Sequence, residues 1–194
     1  MIPAEARFPA EAASGPADAR LPAEVDGPVC VLVGPPGAGK TTVGELVAAA
    51  VHTSFRDTDA DIVARAGKPV SDIFIEDGED AFRALERVAV AAALSTFDGV
   101  LALGGGAVLA AETRALLRPH TVVFLSVELS DAVSRVGLGA GRPLLAMNPR
   151  ATLKVLLEQR RPLYQEVATH TVVTDGRGPD EIAAEVLAVL GKGS

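Results

Sequence analysis

The chain has one cysteine, Cys30, among 194 residues, so no disulfide can form within it. That suits a reducing compartment, where thiols persist, and cytoplasmic localisation is the expectation. No run of about 18 apolar residues is free of charge, which excludes an ordinary membrane-spanning helix. There is no block of Lys and Arg, and the formal net charge is -7 at pH 7. A general binder of nucleic acid or of an anionic membrane surface needs the opposite balance, so neither is expected as a partner. His52, His120 and His170 are too scattered to share a metal ion and are expected at the surface or at strand ends. No internal repeat is visible. What is present, 48% hydrophobic and 22% charged residues, is enough for one globular domain and too short for two.

Residues 1–27 differ from the rest. Pro3, Pro9, Pro16 and Pro22 interrupt an Ala, Glu and Asp-rich stretch with no apolar period, which predicts a disordered tail. Glu5 and Glu11 stand where a secretory signal would have its apolar core. From Pro28 onward, short apolar runs alternate with helix-length segments. Strands are expected at 29–33, 53–56, 99–103, 121–125 and 171–174. Helices are expected at 39–51, 59–66, 78–95, 109–117, 129–135, 150–161 and 179–190. Strands separated by helices imply a parallel sheet covered on both faces, because parallel pairing needs a crossover. Cys30, inside the first strand, is expected to be a small buried hydrophobe.

Gly34-Pro35-Pro36-Gly37-Ala38-Gly39-Lys40-Thr41 fits G-x-x-x-x-G-K-[ST] at every fixed position, directly after a buried strand and opening a helix. The glycines let the backbone curl with its N–H groups facing phosphate oxygens, and the helix N-terminus adds its positive end. Lys40 is placed to reach the β- and γ-phosphates and the Thr41 hydroxyl to ligate Mg²⁺. Such a loop identifies a nucleotide site and leaves the acceptor open.

Candidates for the acceptor side follow the other strands. Asp57-Thr58-Asp59 puts two carboxylates near the C-terminal edge of the sheet, where open α/β folds bind ligands; Thr58 or Asp59 could equally cap a helix starting at Asp61. Arg83 and Glu86, at i and i+3, can meet on one helix face, as a functional pair or as an ordinary surface ion pair. Gly104, Gly105 and Gly106 after a strand suggest a sharp turn or close approach of a ligand to the main chain. Segment 136–148 is Gly-rich around Arg142, and reads either as a closing lid that delivers charge to phosphate or as a plain connector. Arg160 and Arg161 are expected at the end of the 150–161 helix, where cations are favoured.

Taken in order, G-P-P-G-A-G-K-T, D-T-D, D-I-F-x-x-D-G-E-x-x-F-R-x-x-E, L-G-G-G-A-V, G-R-P-L-L and R-x-P-L-Y strongly resemble shikimate kinase, over about residues 29–191. The resemblance implies a P-loop NTPase fold like that of the nucleoside monophosphate kinases, α/β, with a five-stranded parallel sheet flanked by helices and a mobile lid. The kinase domain is expected to span residues 28–192. The implied activity is ATP-dependent phosphorylation of the 3-hydroxyl of shikimate, on the route to chorismate and aromatic amino acids, by a monomer with one Mg²⁺. Gly37, Ala38, Gly39, Lys40, Thr41 and Thr42 would hold the ATP phosphates. Thr41 would bind the metal directly and Asp57 through water. Asp59 would accept hydrogen bonds from the shikimate hydroxyls, and Arg83 and Arg160 would grip its carboxylate, with Glu86 orienting the site. Gly104, Gly105 and Gly106 would bring backbone close to the ring, and Phe74 and Phe82 would wall its apolar side. Arg142 would be the lid arginine, with Lys40 and Asp59 the other catalytic residues. Arg135, Arg177 and Pro179 match the adenine-binding elements. Arg161 beside Arg160 leaves open which of the two reaches the carboxylate, though counting back from Pro162-Leu163-Tyr164 favours Arg160.

Two other readings stand beside this one. A small P-loop kinase for gluconate or a nucleotide would share the loop, and gluconate also offers a carboxylate and hydroxyls. A non-catalytic ATP-binding or regulatory protein would share the fold, but it would be expected to lack one of Lys40, Thr41, Asp57, Asp59, Arg83 or Arg142. Residues 1–27 carry two Arg against five Asp and Glu, so the remainder is only mildly acidic. Cations gathered in one cleft would suit small anionic substrates.

Overall fold

The computed structural model describes residues 27–136 and 148–191. All but the last residue of the expected tail at 1–27, and all but the two end residues of the expected lid at 136–148, with Arg142, lie outside the described residues.

Five parallel strands form one sheet in the order β2-β3-β1-β4-β5. They are β1 (Cys30–Val33), β2 (Phe55–Asp57), β3 (Val100–Ala102), β4 (Val122–Ser126) and β5 (His170–Val173). Every residue of β1, β3 and β4 is buried, as expected of inner strands covered on both faces. Alternate side chains feed two cores. Cys30, Leu32, Val123 and Leu125 pack with Val43, Val47, Ile182 and Val186 from helices α1 (Lys40–Ala50) and α8 (Pro179–Leu190). Val31, Val33, Val122 and Phe124 pack on the other face with Val90 and Leu94 of α4 (Glu79–Thr96) and Tyr164 and Val167 of α7 (Pro149–Val167). The period of two within each strand divides the interior in this way.

Cys30 has no exposed surface, and burial pushes its thiol up to about 12. It is the inert hydrophobe that its position in β1 predicts. Among the described residues no helix is long and apolar enough to cross a membrane.

Register aligns the exits from the sheet. Leu32 stands opposite Ala102, and Ala102 opposite Asp57, so β1, β3 and β2 end at one level. The chain that leaves these strands supplies Gly34–Lys40, Thr58–Asp59 and Gly104–Gly106, all delivered to one edge.

Three local expectations are corrected. Helix α2 runs Thr58–Ala66, and its N-cap is Asp57, whose side chain accepts from the Asp59 N–H; neither Thr58 nor Asp59 is the cap. A short helical turn α3 (Val70–Asp72) passes into a π-helical turn, Ile73–Asp77, where no helix was expected; Ile73 anchors it in a satellite core with Ile62 and Phe82. Helix α7 does not stop at Arg161 but continues through Pro162 to Val167. Pro162 is exposed, so the carbonyl its missing N–H leaves unbonded can turn to water. Helices α5 (Ala111–Leu117) and α6 (Leu129–Val136) complete the described elements, with a single 3-10 turn at Ala107–Leu109.

Candidate active site

The phosphate-binding loop leaves β1 and ends at Gly39, whose φ of 87° lies in the left-handed region and caps α1. Gly37 has φ 82°, so the curl of the loop depends on residues without a Cβ at both positions. The Lys40 ammonium folds over the loop and donates to the Gly34 carbonyl at 2.8 Å and the Pro35 carbonyl at 3.1 Å. A cleft of about 390 Å³ opens in front of it, lined by Gly37 to Val43 on one side and Arg135, Arg177, Pro179 and Ile182 on the other. Arg135 is held by the Thr174 hydroxyl at 3.0 Å and the Thr174 carbonyl at 2.6 Å. Arg177 is held by Glu185 at 2.5 Å and the Val173 carbonyl at 2.9 Å. Phosphate donors at one end and flat guanidinium and proline surfaces at the other match a purine nucleotide in outline.

Beside the loop, the Thr41 hydroxyl donates to Asp57 Oδ2 at 3.2 Å. The other Asp57 oxygen, Oδ1, accepts the Asp59 N–H at 2.9 Å, which fixes the carboxylate. Among the described residues there is no group of three or more His, Cys, Asp or Glu able to hold a metal ion alone. The donors at Thr41 and Asp57 are hard oxygens beside a phosphate cradle. That set fits Mg²⁺, which takes most of its ligands from phosphate and water and few from protein.

Opposite the loop, three glycines form a hub. A Cβ on Gly104 would overlap the Asp59 carboxylate and come within 2.9 Å of Glu86 Oε1. One on Gly105 would lie 3.3 Å from the Pro36 ring and 3.5 Å from the Gly34 carbonyl. One on Gly106 would overlap the Arg83 guanidinium. The bare backbone is therefore what allows carboxylates, guanidinium and phosphate loop to converge on one turn. The Gly104 N–H donates to the buried Thr58 hydroxyl at 3.2 Å, tying this turn to the Asp57–Asp59 segment.

Arg83 reaches Glu86 at 2.7 Å and Glu79 at 3.1 Å. The Glu86 side chain is only 4% exposed, unlike that of a surface pair. Burial raises its carboxyl above the ordinary range, and the neighbouring Arg83 charge offsets only part of that. For Arg83, burial acts to lower the pKa, but the Glu86 and Glu79 charges outweigh it and hold the guanidinium charged. Phe74 and Phe82 lie 4.6 Å apart between ring centroids, with the Arg83 Cζ 5.9 Å and 5.4 Å from their respective centres. Phe82 is buried and backs this cluster from below, while half-buried Phe74 is the ring nearer solvent.

The two adjacent arginines part company on α7. Arg160 is buried and donates to the Gly105 carbonyl at 3.1 Å, at the glycine hub. Arg161 points elsewhere and pairs with Glu128 at 2.8 Å on the surface. Two residues with no site role assigned from sequence also join the hub: Thr58, and Tyr164, whose hydroxyl donates to the Gly105 carbonyl at 2.6 Å. The signal for Tyr164 was its spacing of four from Arg160, which counts only if the helix passes Pro162.

The model of the family described as shikimate kinase matches residues 36–191. The chain belongs to the shikimate kinase family. It is therefore a kinase, with ATP as co-substrate. A shikimate kinase of Salinispora arenicola is 71% identical over 163 residues, which is 84% of this chain and 98% of that protein. Among solved structures, the shikimate kinase of Acinetobacter baumannii in complex with shikimate superposes with a TM-score of 0.84 at 36% identity, covering 88% of this chain and 96% of that one. A gluconokinase of Sinorhizobium meliloti matches with a TM-score of 0.52 at 23% identity, covering 84% of this chain and 91% of that one, and shares the fold alone. The expected five-stranded P-loop kinase architecture is thus the one observed.

Proposed function

We propose that the chain transfers the γ-phosphoryl group of ATP to the 3-hydroxyl of shikimate, giving shikimate 3-phosphate and ADP. The observation that carries this reading is the glycine hub. It sets two carboxylates, the buried Arg160 and the half-buried Arg83 against the phosphate loop, an arrangement suited to a small polyhydroxy acid beside ATP.

In this reading Arg83 and Arg160 bind the shikimate carboxylate, for which their planar forks are suited. The ring lies over Gly104–Gly106 with Phe74 and Phe82 at its apolar side. Asp59 accepts the hydrogen bond of the reacting hydroxyl, aims its oxygen at phosphorus, and takes the proton as the new P–O bond forms. Lys40 and the amides of Gly37 to Thr42 hold the phosphates; Arg135, Arg177 and Pro179 hold the adenine. Thr41 and Asp57 would hold Mg²⁺, which when bound neutralises phosphate charge. Arg142 is assigned to the γ-phosphate on its motif alone, since it lies outside the described residues. Phosphoryl transfer passes through a loose transition state, so positioning and charge neutralisation supply nearly all of the catalysis.

A coupled assay of ADP release, run with shikimate, gluconate and a nucleoside monophosphate at equal concentration, tests the reading. Shikimate is expected to raise the rate at least a hundredfold over the other two. A higher rate with gluconate or the nucleotide, or ADP release indifferent to shikimate, would exclude it.

A further inference from the structure

We infer that Tyr164 is a positioning residue for the acceptor: its hydroxyl occupies the Gly105 carbonyl and thereby leaves Arg160 donors for the substrate carboxylate. This rests on the shikimate reading above.

A carbonyl oxygen has two lone pairs, and at Gly105 both are engaged. Tyr164 donates at 2.6 Å and Arg160 Nη1 at 3.1 Å. Each distance lies in the range usual for its donor, hydroxyl or guanidinium, so the carbonyl is shared between the two. The Arg160 guanidinium also lies near enough to the phenol for its charge to favour the ionised form, so both donors crowd the same carbonyl. Tyr164 lies four residues beyond Arg160 on α7, on the same helix face.

The ring cannot swing away. It is 1% exposed and stacks on Phe124 of β4, with centroids 5.1 Å apart. Its ring would serve the core equally well as phenylalanine, since Phe124 and the aliphatic groups around it ask for no hydroxyl. The hydroxyl goes instead to a backbone atom of the glycine hub, the turn where added Cβ atoms would run into Asp59, Glu86, Arg83 and the phosphate loop. Arg160 has five N–H donors, and a carbonyl stripped of its tyrosine partner would draw a second of them inward. The donor lost to Gly105 is one the substrate carboxylate can no longer use. Burial pushes the phenol up to about 12, with the nearby Arg160 only partly offsetting it, so the hydroxyl remains a donor at all working pH.

The test is Tyr164→Phe in the full chain, with KM for shikimate, KM for ATP and kcat measured separately, alone and combined with Arg160→Ala. The expected result is a shikimate KM raised about tenfold, with the ATP KM and kcat within twofold of the parent. In the Arg160→Ala background the same change is expected to add less than twofold, because the group it positions is gone. An unchanged shikimate KM would overturn the inference. So would a loss shared equally by ATP and shikimate, or a full tenfold effect in the Arg160→Ala background, since each marks a merely structural role. If the parent chain itself does not phosphorylate shikimate, the functional reading fails first, and that failure is visible before any variant is made.

Discussion

Asp59→Asn is expected to lower kcat by about 10²–10⁴-fold, the range for removing a positioned proton acceptor, while leaving ATP affinity within twofold. The amide keeps the size and shape of the carboxylate but cannot take the hydroxyl proton. Its backbone N–H still donates to Asp57, so the cap of α2 and the Thr41–Asp57 pair remain in place. The nucleotide cleft is lined by the phosphate loop, α1, α6 and the start of α8, and Asp59 is not among its lining residues. Nucleotide titration beside steady-state turnover separates the two effects. Near-parent turnover would remove Asp59 from the chemistry, and a parallel loss of ATP affinity would make it a structural residue.

Arg83→Ala is expected to act twice. The Glu86 side chain, 4% exposed, loses its nearest cation, and leaving a buried charge unpaired costs about 3 kcal/mol, the lower end of the usual range because Arg160 remains nearby. For a chain of this size that is a fall of roughly 6–12 °C in thermal midpoint. Glu86 already has a carboxyl raised by burial, so the folded state binds its proton more tightly than the unfolded state does. Stability from this group therefore falls as pH rises through the region above the ordinary carboxylate value. Without Arg83 the carboxyl rises further, so the deficit is largest at pH 8 and shrinks toward pH 5. Arg83→Ala combined with Glu86→Gln is expected to recover most of the midpoint at pH 8. It should recover none of the shikimate affinity, with kcat/KM still down about 10²-fold from the lost charge-assisted bonds. Recovery of both together would mean that Arg83 serves only Glu86.

What could be read from the sequence divides along a physical line. The phosphate loop was legible because everything it needs is local: glycines that tolerate positive φ, a strand before and a helix after. The strands β1, β3 and β4 were legible as apolar runs because both of their faces are covered. Asp57, Thr58 and Asp59 were legible as a group, but which of them caps α2 depends on one side-chain oxygen turning back toward the Asp59 N–H, and all three residue types can do that. Pro162 misled because a proline ordinarily ends a helix; here it stands on the exposed side, and burial of Tyr164 and Val167 carries α7 onward. That error hid Tyr164. Arg160 and Arg161 were nearly interchangeable in sequence, and the distinction comes from the turn of about 100° between adjacent helix positions, which gives one Gly105 and the other Glu128 as partner. The π-helical turn at Ile73–Asp77 had no periodic signal, since its form follows from seating Ile73 against Ile62 and Phe82.

If the glycine hub presents one hydroxyl of shikimate to the phosphate held at Lys40, phosphorylation falls on a single position. Proton-coupled phosphorus NMR of the reaction product tests it most directly. The expected product is a single phosphomonoester coupled to the proton on C3, formed in equal amount to ADP. A phosphate on another hydroxyl, or ADP produced with no phosphorylated shikimate, would contradict it.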